Sequence, residues 1–227
     1  DNWDGTDANL IIGDELVFND TGNATPSVDV ELDYVAPLGG IAFEQSTAYT
    51  LAGAGSFRLD DAGRIVNDTT LTQRIDVDLA ATGSEMILDA TNAGGTLDIN
   101  GDVDLADTGG VVLRVLGDGD VSLDGSVTGA GGAIWKQGAG SLTLSGTNTF
   151  DGSLQIDAGD VTLAGTNAIA DNADVVMTDS GAELTLAADE TFAALAGVGT
   201  VNLATHRLTL DTDADTTFAG TIQGTTT

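Results

Sequence analysis

Apolar residues recur along this chain in short alternating bursts and never with helical spacing. Ser-Leu-Thr-Leu (141–144), Asp-Val-Thr-Leu (160–163), Glu-Leu-Thr-Leu (183–186) and Arg-Leu-Thr-Leu (207–210) are copies of one unit, and looser copies stand at Leu97-Asp98-Ile99 and Val121-Ser122-Leu123. Alternation of this kind sends apolar side chains to one side of a strand and Thr, Ser or Asp to the other. The first apolar residue of each unit falls at 97, 121, 142, 161, 184 and 208, in steps of 24, 21, 19, 23 and 24. About twenty such bursts follow one another with Gly or Asp between them, a density that also suits a sandwich or barrel. The in-phase recurrence decides for a solenoid, in which each turn of chain covers the last. It predicts an all-β parallel β-helix with about three short strands per coil. Leu97, Val121, Leu142, Leu144, Val161, Leu163, Leu184, Leu186, Leu208 and Leu210 then stack as repeat core. At the ~4.8 Å strand spacing the chain makes roughly eight to ten coils, ~40–50 Å of rod.

Residues 1–38 read as an N-terminal capping segment, with apolar strands at Leu10–Ile12 and Leu16–Phe18 and with Trp3 available to cover the end. Residues 39–227 read as one continuous run of β-helix repeats. Thr-Asn follows an inward Leu at the same distance three times, giving Asn92, Asn148 and Asn167. Asn tolerates the left-handed region and its amide can stack on the next coil's amide, so the three are expected at turns.

Composition sharpens this picture. Only 4% of residues are aromatic, so the core is aliphatic and thin, and 31 glycines against two prolines fit many tight turns. The formal charge is −30, from 36 acidic and 6 basic residues, and the acids are mostly Asp, a turn residue, rather than helix-favouring Glu. That charge excludes nucleic acid as a partner and disfavours an anionic membrane surface. It also blunts edge-to-edge pairing in an otherwise stackable β protein. Cysteine is absent, which removes disulfides and thiolate sites. No apolar run approaches the ~20 residues of a transmembrane helix, so no membrane insertion by this chain is expected. Neither does a basic stretch followed by an apolar one open the chain, which reads as a mature or excised piece.

One stretch carries a resemblance. Gly138-Ala-Gly140-Ser-Leu-Thr-Leu-Ser-Gly146-Thr-Asn148-Thr-Phe150-Asp-Gly152, closed by Asp157-Ala-Gly159-Asp-Val-Thr-Leu163, resembles the autotransporter-associated β-strand repeat, also called the passenger-associated transport repeat. The glycine-rich approach Gly129–Ile134 leads into Lys136 as in that family. Trp135 replaces a usual small polar residue and Phe150 a commoner tyrosine, and the turn glycines are intact. The resemblance implies a bacterial surface or secreted protein, a right-handed parallel β-helix passenger, and a repeat associated with export through an outer-membrane barrel. It implies no catalytic motif.

The residues offer little other chemistry. His206 is the only histidine and has no Gly-x-Ser-x-Gly companion, so an exposed turn residue is expected. Zinc needs more His or Cys than the chain has. Calcium is the one cofactor candidate, because Asp118, Asp120, Asp211 and Asp213 offer oxygen ligands at alternate positions. Solvated turn acids are the simpler reading of the same residues. A polysaccharide-acting β-helix enzyme would need paired carboxylates in an aromatic-lined groove, and the ten aromatics here are spread singly. The expectation is a non-enzymatic surface rod serving as scaffold or adhesin toward a host or environmental surface ligand. The alternative is an extracellular filament formed by self-association through the solenoid ends.

Overall fold

The computed structural model describes residues 15–18, 27–29, 37–44, 47–106, 109–211 and 215–225, with 27–29 described in backbone only. Trp3, Leu10–Ile12 and Asp213 lie outside the described residues. All described secondary structure is strand, and every strand pair is parallel. The chain winds through about eight stacked turns, a β-solenoid. Hairpin neighbours would have paired antiparallel, so the sandwich and barrel alternatives fall.

Each coil visits three faces in turn. One first-face strand per coil, from Glu15–Phe18 through Glu85–Ala90, Val112–Leu116, Ala133–Lys136 and Ser153–Ile156 to Ala194–Gly197, stacks on the next. The second face runs from Ser27–Asp29 to Thr221–Gln223 as a ten-stranded sheet. The third face is shorter and less regular: Asp78–Ala81, Val103–Asp104 and Val127–Thr128 pair below, and Glu190–Phe192 pairs with Leu208–Leu210 above. The 12-residue strand Ser56–Asn67 bends from the third face to the first, with Ala62 at φ 60° and Gly63 at the bend, and so joins the two faces into one sheet.

The alternating pattern explains the core. On the second face Leu97, Val121, Leu142, Val161, Leu184 and Val201 lie one above another, and Ile99, Leu123, Leu144, Leu163 and Leu186 form a parallel column beside them. All are at most 1% exposed. Burying each such side chain is worth about 1.5–3 kcal/mol, and the identical register lets branched side chains nest on their own kind. The outward partners stack in the same register, Thr143 on Thr162 on Thr185.

Two expectations need correction here. Leu208 and Leu210 do not continue the column. The coil after Leu184 reaches the second face again at Val201, only 17 residues on, because its third-face and first-face strands follow each other almost without a loop. The Leu-Thr-Leu at 208–210 therefore lands on the third face, opposite Glu190–Phe192, where Leu208 is half-buried and Leu210 is 43% exposed. The three asparagines do not form a ladder either. Leu88 lies on the first face whereas Leu144 and Leu163 lie on the second, so Asn92 follows a different face from Asn148 and Asn167. Within the N-terminal segment, Glu15–Phe18 pairs with the strand Leu38–Phe43. There Phe18, Phe43 and Tyr49 pack as an aromatic cluster inside the first described coils.

Candidate functional site

The most constrained part of the rod is the corner joining the first face to the second in the coils from Val112 to Leu163. Its turns are glycine-rich because successive corners sit almost in contact. A methyl on Gly140 would overlap the Gly119 carbonyl, and one on Gly159 would meet the Gly138 and Gly140 carbonyls. Gly117, Gly138 and Gly159 also have φ of 95°, 114° and 70°, a region that a side chain disfavours.

Beneath this corner lies an unusual core residue. Lys136 stands in the first-face column between Val115 below and Ile156 above, and is 1% exposed. Its aliphatic stem takes the place of a Leu or Ile, and its Nζ reaches the corner. There it donates to the Gly138 carbonyl at 2.6 Å and to the Ala158 carbonyl of the next coil at 3.4 Å. Burial pushes its pKa down from 10.5 to about 8, against the pull of the Asp160, Asp120 and Asp118 carboxylates. The ammonium thus ties two stacked turns from inside.

One further inward polar residue follows. Asn148, 2% exposed, projects into the third face. Its Oδ1 accepts from the Val127 backbone N–H at 2.6 Å, and its Nδ2 donates to the Ala168 carbonyl at 2.6 Å. The third face lacks regular strands here, and the side-chain amide stands in for the missing ladder bonds between three successive coils. From the coil above, Glu190 accepts from the Ala168 and Ile169 backbone N–H groups. Burial raises the Glu190 carboxyl above its usual range, and these two bonds oppose the rise.

Residues 136–164, which span this corner and Asn148, match the family model described as passenger-associated-transport-repeat. The segment is thus similar to a passenger-associated transport repeat. Comparison with curated proteins and with solved structures finds no match. The repeat begins on the buried lysine and ends just after Leu163, so it covers about one and a half coils: corner, second face, third face, first face, corner, second face. Its glycines are the residues that let consecutive corners touch. The solenoid and the repeat together fit an autotransporter passenger-like structural protein.

Around the repeat, the first face carries a side-chain network on its outside. The Arg114 guanidinium lies 5.5 Å from the Trp135 ring centroid, donates to Gln137 and pairs with Glu85. Trp135, Gln137, Gln155 and Thr178 all donate to Asp157. Burial alone would raise the Asp157 carboxyl, but these four bonds hold it below its usual range.

The other sequence candidates fall apart in space. Asp118 and Asp120 lie at the corner below Gly140, and Asp120 already accepts from the Ser141 backbone N–H and hydroxyl. Asp211 follows Leu210 on the third face, several coils away. Among the described residues no group of three or more His, Asp or Glu comes together to hold a metal ion. Asn92 sits in a turn and donates to Asp68 of the coil below, and Asn167 is an exposed turn residue at φ 57°. His206 is half-buried in a turn, with Nδ1 3.8 Å from Asp189.

What the sequence reading missed is the purpose of the aspartates. Asp61 accepts from Ser84, Asp78 from Asp102, Asp102 from Ser126 and Asp151 from Gly131, in each case a backbone N–H of a neighbouring coil. The Ser84 N–H and hydroxyl hold the Asp61 carboxyl below its usual range. These four acids cap backbone N–H groups of a neighbouring coil. The spacing of 24 between Asp78, Asp102 and Ser126 is the signal that could have found them.

Proposed function

We propose that the chain is a segment of a bacterial surface or secreted passenger, a rigid extracellular rod whose role is mechanical presentation rather than catalysis. The observation that carries this reading is the passenger-associated transport repeat lying in register inside an uninterrupted parallel solenoid. A parallel solenoid suits passage through a narrow channel as extended chain, because each coil that emerges can pack on the previous one without waiting for distant sequence. A surplus of negative charge keeps the emerging chain soluble. The polar network around Trp135, in which Asp157 is held by four donors, weighs against the polysaccharide-acting alternative, which needs free paired carboxylates beside an aromatic.

Fusing the chain between an export signal and an outer-membrane barrel in a Gram-negative host tests the proposal, with surface display read by access of an external protease. Excising residues 142–160 removes one whole period, since Val161 occupies the position of Leu142 one coil on. Excising 97–120 removes one period outside the repeat in the same way. The expected result is strong display of the whole chain, a marked loss on excising 142–160, and a small effect of excising 97–120. Equal effects of the two excisions would remove the repeat-specific part of the proposal, and retention of the whole chain inside the cell would remove it all.

A further inference from the structure

Four consecutive second-face strands carry nearly the same letters. Val121-Ser-Leu123, Leu142-Thr-Leu144, Val161-Thr-Leu163 and Leu184-Thr-Leu186 stack with aliphatic on aliphatic and hydroxyl on hydroxyl. Such a ladder resists a slip of one residue, which would turn every inward side chain to solvent. It resists a slip of two only weakly. Moving Asp160–Leu163 along Ser141–Leu144 by two residues sets Val161 on Leu144, or Leu163 on Leu142. Either way the alternation survives and one of the two inward pairs is kept. The choice between these registers has to come from outside the ladder.

Lys136 and Asn148 stand where that choice can be made. Among the described residues they are the only buried polar or charged side chains between Asp89 and Glu190. One precedes Ser141–Leu144 and the other follows it. Each reaches the coil above, Lys136 at the Ala158 carbonyl and Asn148 at the Ala168 carbonyl, and Asn148 also holds the Val127 N–H of the coil below. A two-residue slip carries the coil above by about 6.6 Å along the strand, which takes both carbonyls out of hydrogen-bond reach. The amide and the ammonium would then lack partners in an apolar interior, which costs far more than the shifted aliphatic contacts.

We infer that Lys136 and Asn148 are register pins, fixing Ser141–Leu144 against Asp160–Leu163 from its two ends. Buried polar groups can act in this way, costing stability while selecting one alignment among several of similar apolar content. Both pins lie within residues 136–164. The inference goes beyond the proposed function and is independent of export, because it is read on the purified chain.

Introduced cysteine pairs test it, because the chain has no cysteine of its own. Thr143→Cys with Thr162→Cys joins positions that face each other, about 4.8 Å apart and within disulfide reach. Thr143→Cys with Asp160→Cys, and Ser141→Cys with Thr162→Cys, join positions about 8 Å apart, beyond that reach. These two pairs come opposite each other only after a slip of two, one for each direction. Each protein is unfolded in urea and refolded in a glutathione redox buffer, and its disulfide fraction is read from the intact mass after thiol alkylation. The expected result is a disulfide in most molecules of the facing pair and at least about tenfold less in the slipped pairs. Asn148→Leu and Lys136→Met should each raise the slipped fraction at least about threefold, and the two together should raise it further. Leu154→Ala, a fully buried first-face side chain with no polar contact to lose, should leave it unchanged. Circular dichroism of each variant confirms the retained β fold. Slipped fractions that stay at the parent level in both single variants overturn the inference. So does an equal rise in Leu154→Ala, which would make slipping a plain consequence of lower stability.

Discussion

Lys136→Met is the substitution that best probes the rod's interior. Methionine matches the lysine stem in length and continues the Val115–Ile156 column without the charge. The folded state holds the ammonium at a pKa of about 8, against 10.5 for the free side chain. Because the folded value is the lower one, the unfolded chain binds more protons between the two values, and stability rises with pH across that window. Below pH 8 the folded state carries the full cost of a buried cation, and above 10.5 it carries none. One unit is worth 1.36 kcal/mol, so the window spans about 3 kcal/mol, or roughly 6–12 °C in melting temperature for a chain of this size. Met also leaves the Gly138 and Ala158 carbonyls without their lysine donor, at about 1–3 kcal/mol for a buried group left unpaired. Absolute stability at neutral pH is thus a poor readout, and the pH slope is the good one. Thermal unfolding followed by circular dichroism from pH 7 to 10.5 should show the native chain gaining on Lys136→Met steadily. Parallel pH profiles for the two proteins would refute the account of a desolvated, charge-bearing lysine.

Three contrasts test the rest of the framework by urea unfolding. Gly140→Ala should cost at least about 2 kcal/mol, because the methyl overlaps the Gly119 carbonyl in a stack that cannot spread. Gly181→Ala, whose methyl meets only Asp179 Oδ1 at 3.6 Å, should be nearly neutral. Leu184→Ala, fully buried, should cost about 2–5 kcal/mol, whereas Leu210→Ala should cost well under about 1 kcal/mol. Equal losses would return Leu210 to the core column. Asn148→Leu should cost about 2–4 kcal/mol by orphaning the Val127 N–H and the Ala168 carbonyl, and should speed hydrogen exchange at Val127. Unchanged exchange there would deny the amide its bridging role.

Much of this architecture is legible in the chain because a solenoid is built from local repetition. Leu142-Thr-Leu144 and Val161-Thr-Leu163 declare an inward column through alternation and a common period, and the glycines of 138–159 declare corners too tight for a methyl. Those are properties of neighbouring residues. The family likeness of 136–164 rests on the same letters. What the chain alone leaves open is which face each repeat occupies. Leu208-Thr-Leu210 has the same letters as Leu184-Thr-Leu186, and it lies on another face because the intervening coil is short. Coil length is the sum of every turn along the way, so an error of a few residues in one corner reassigns all that follows.

The polar interior is likewise a tertiary matter. Asn148 looks like a turn residue in sequence and becomes a bridge only when Val127 and Ala168 are stacked around it. Lys136 looks like a surface charge and is buried because its register places it between Val115 and Ile156, beneath two carbonyls that need a donor. Local alternation fixes which side of a strand a residue faces. Only the stacking of one coil on another decides what that side then meets.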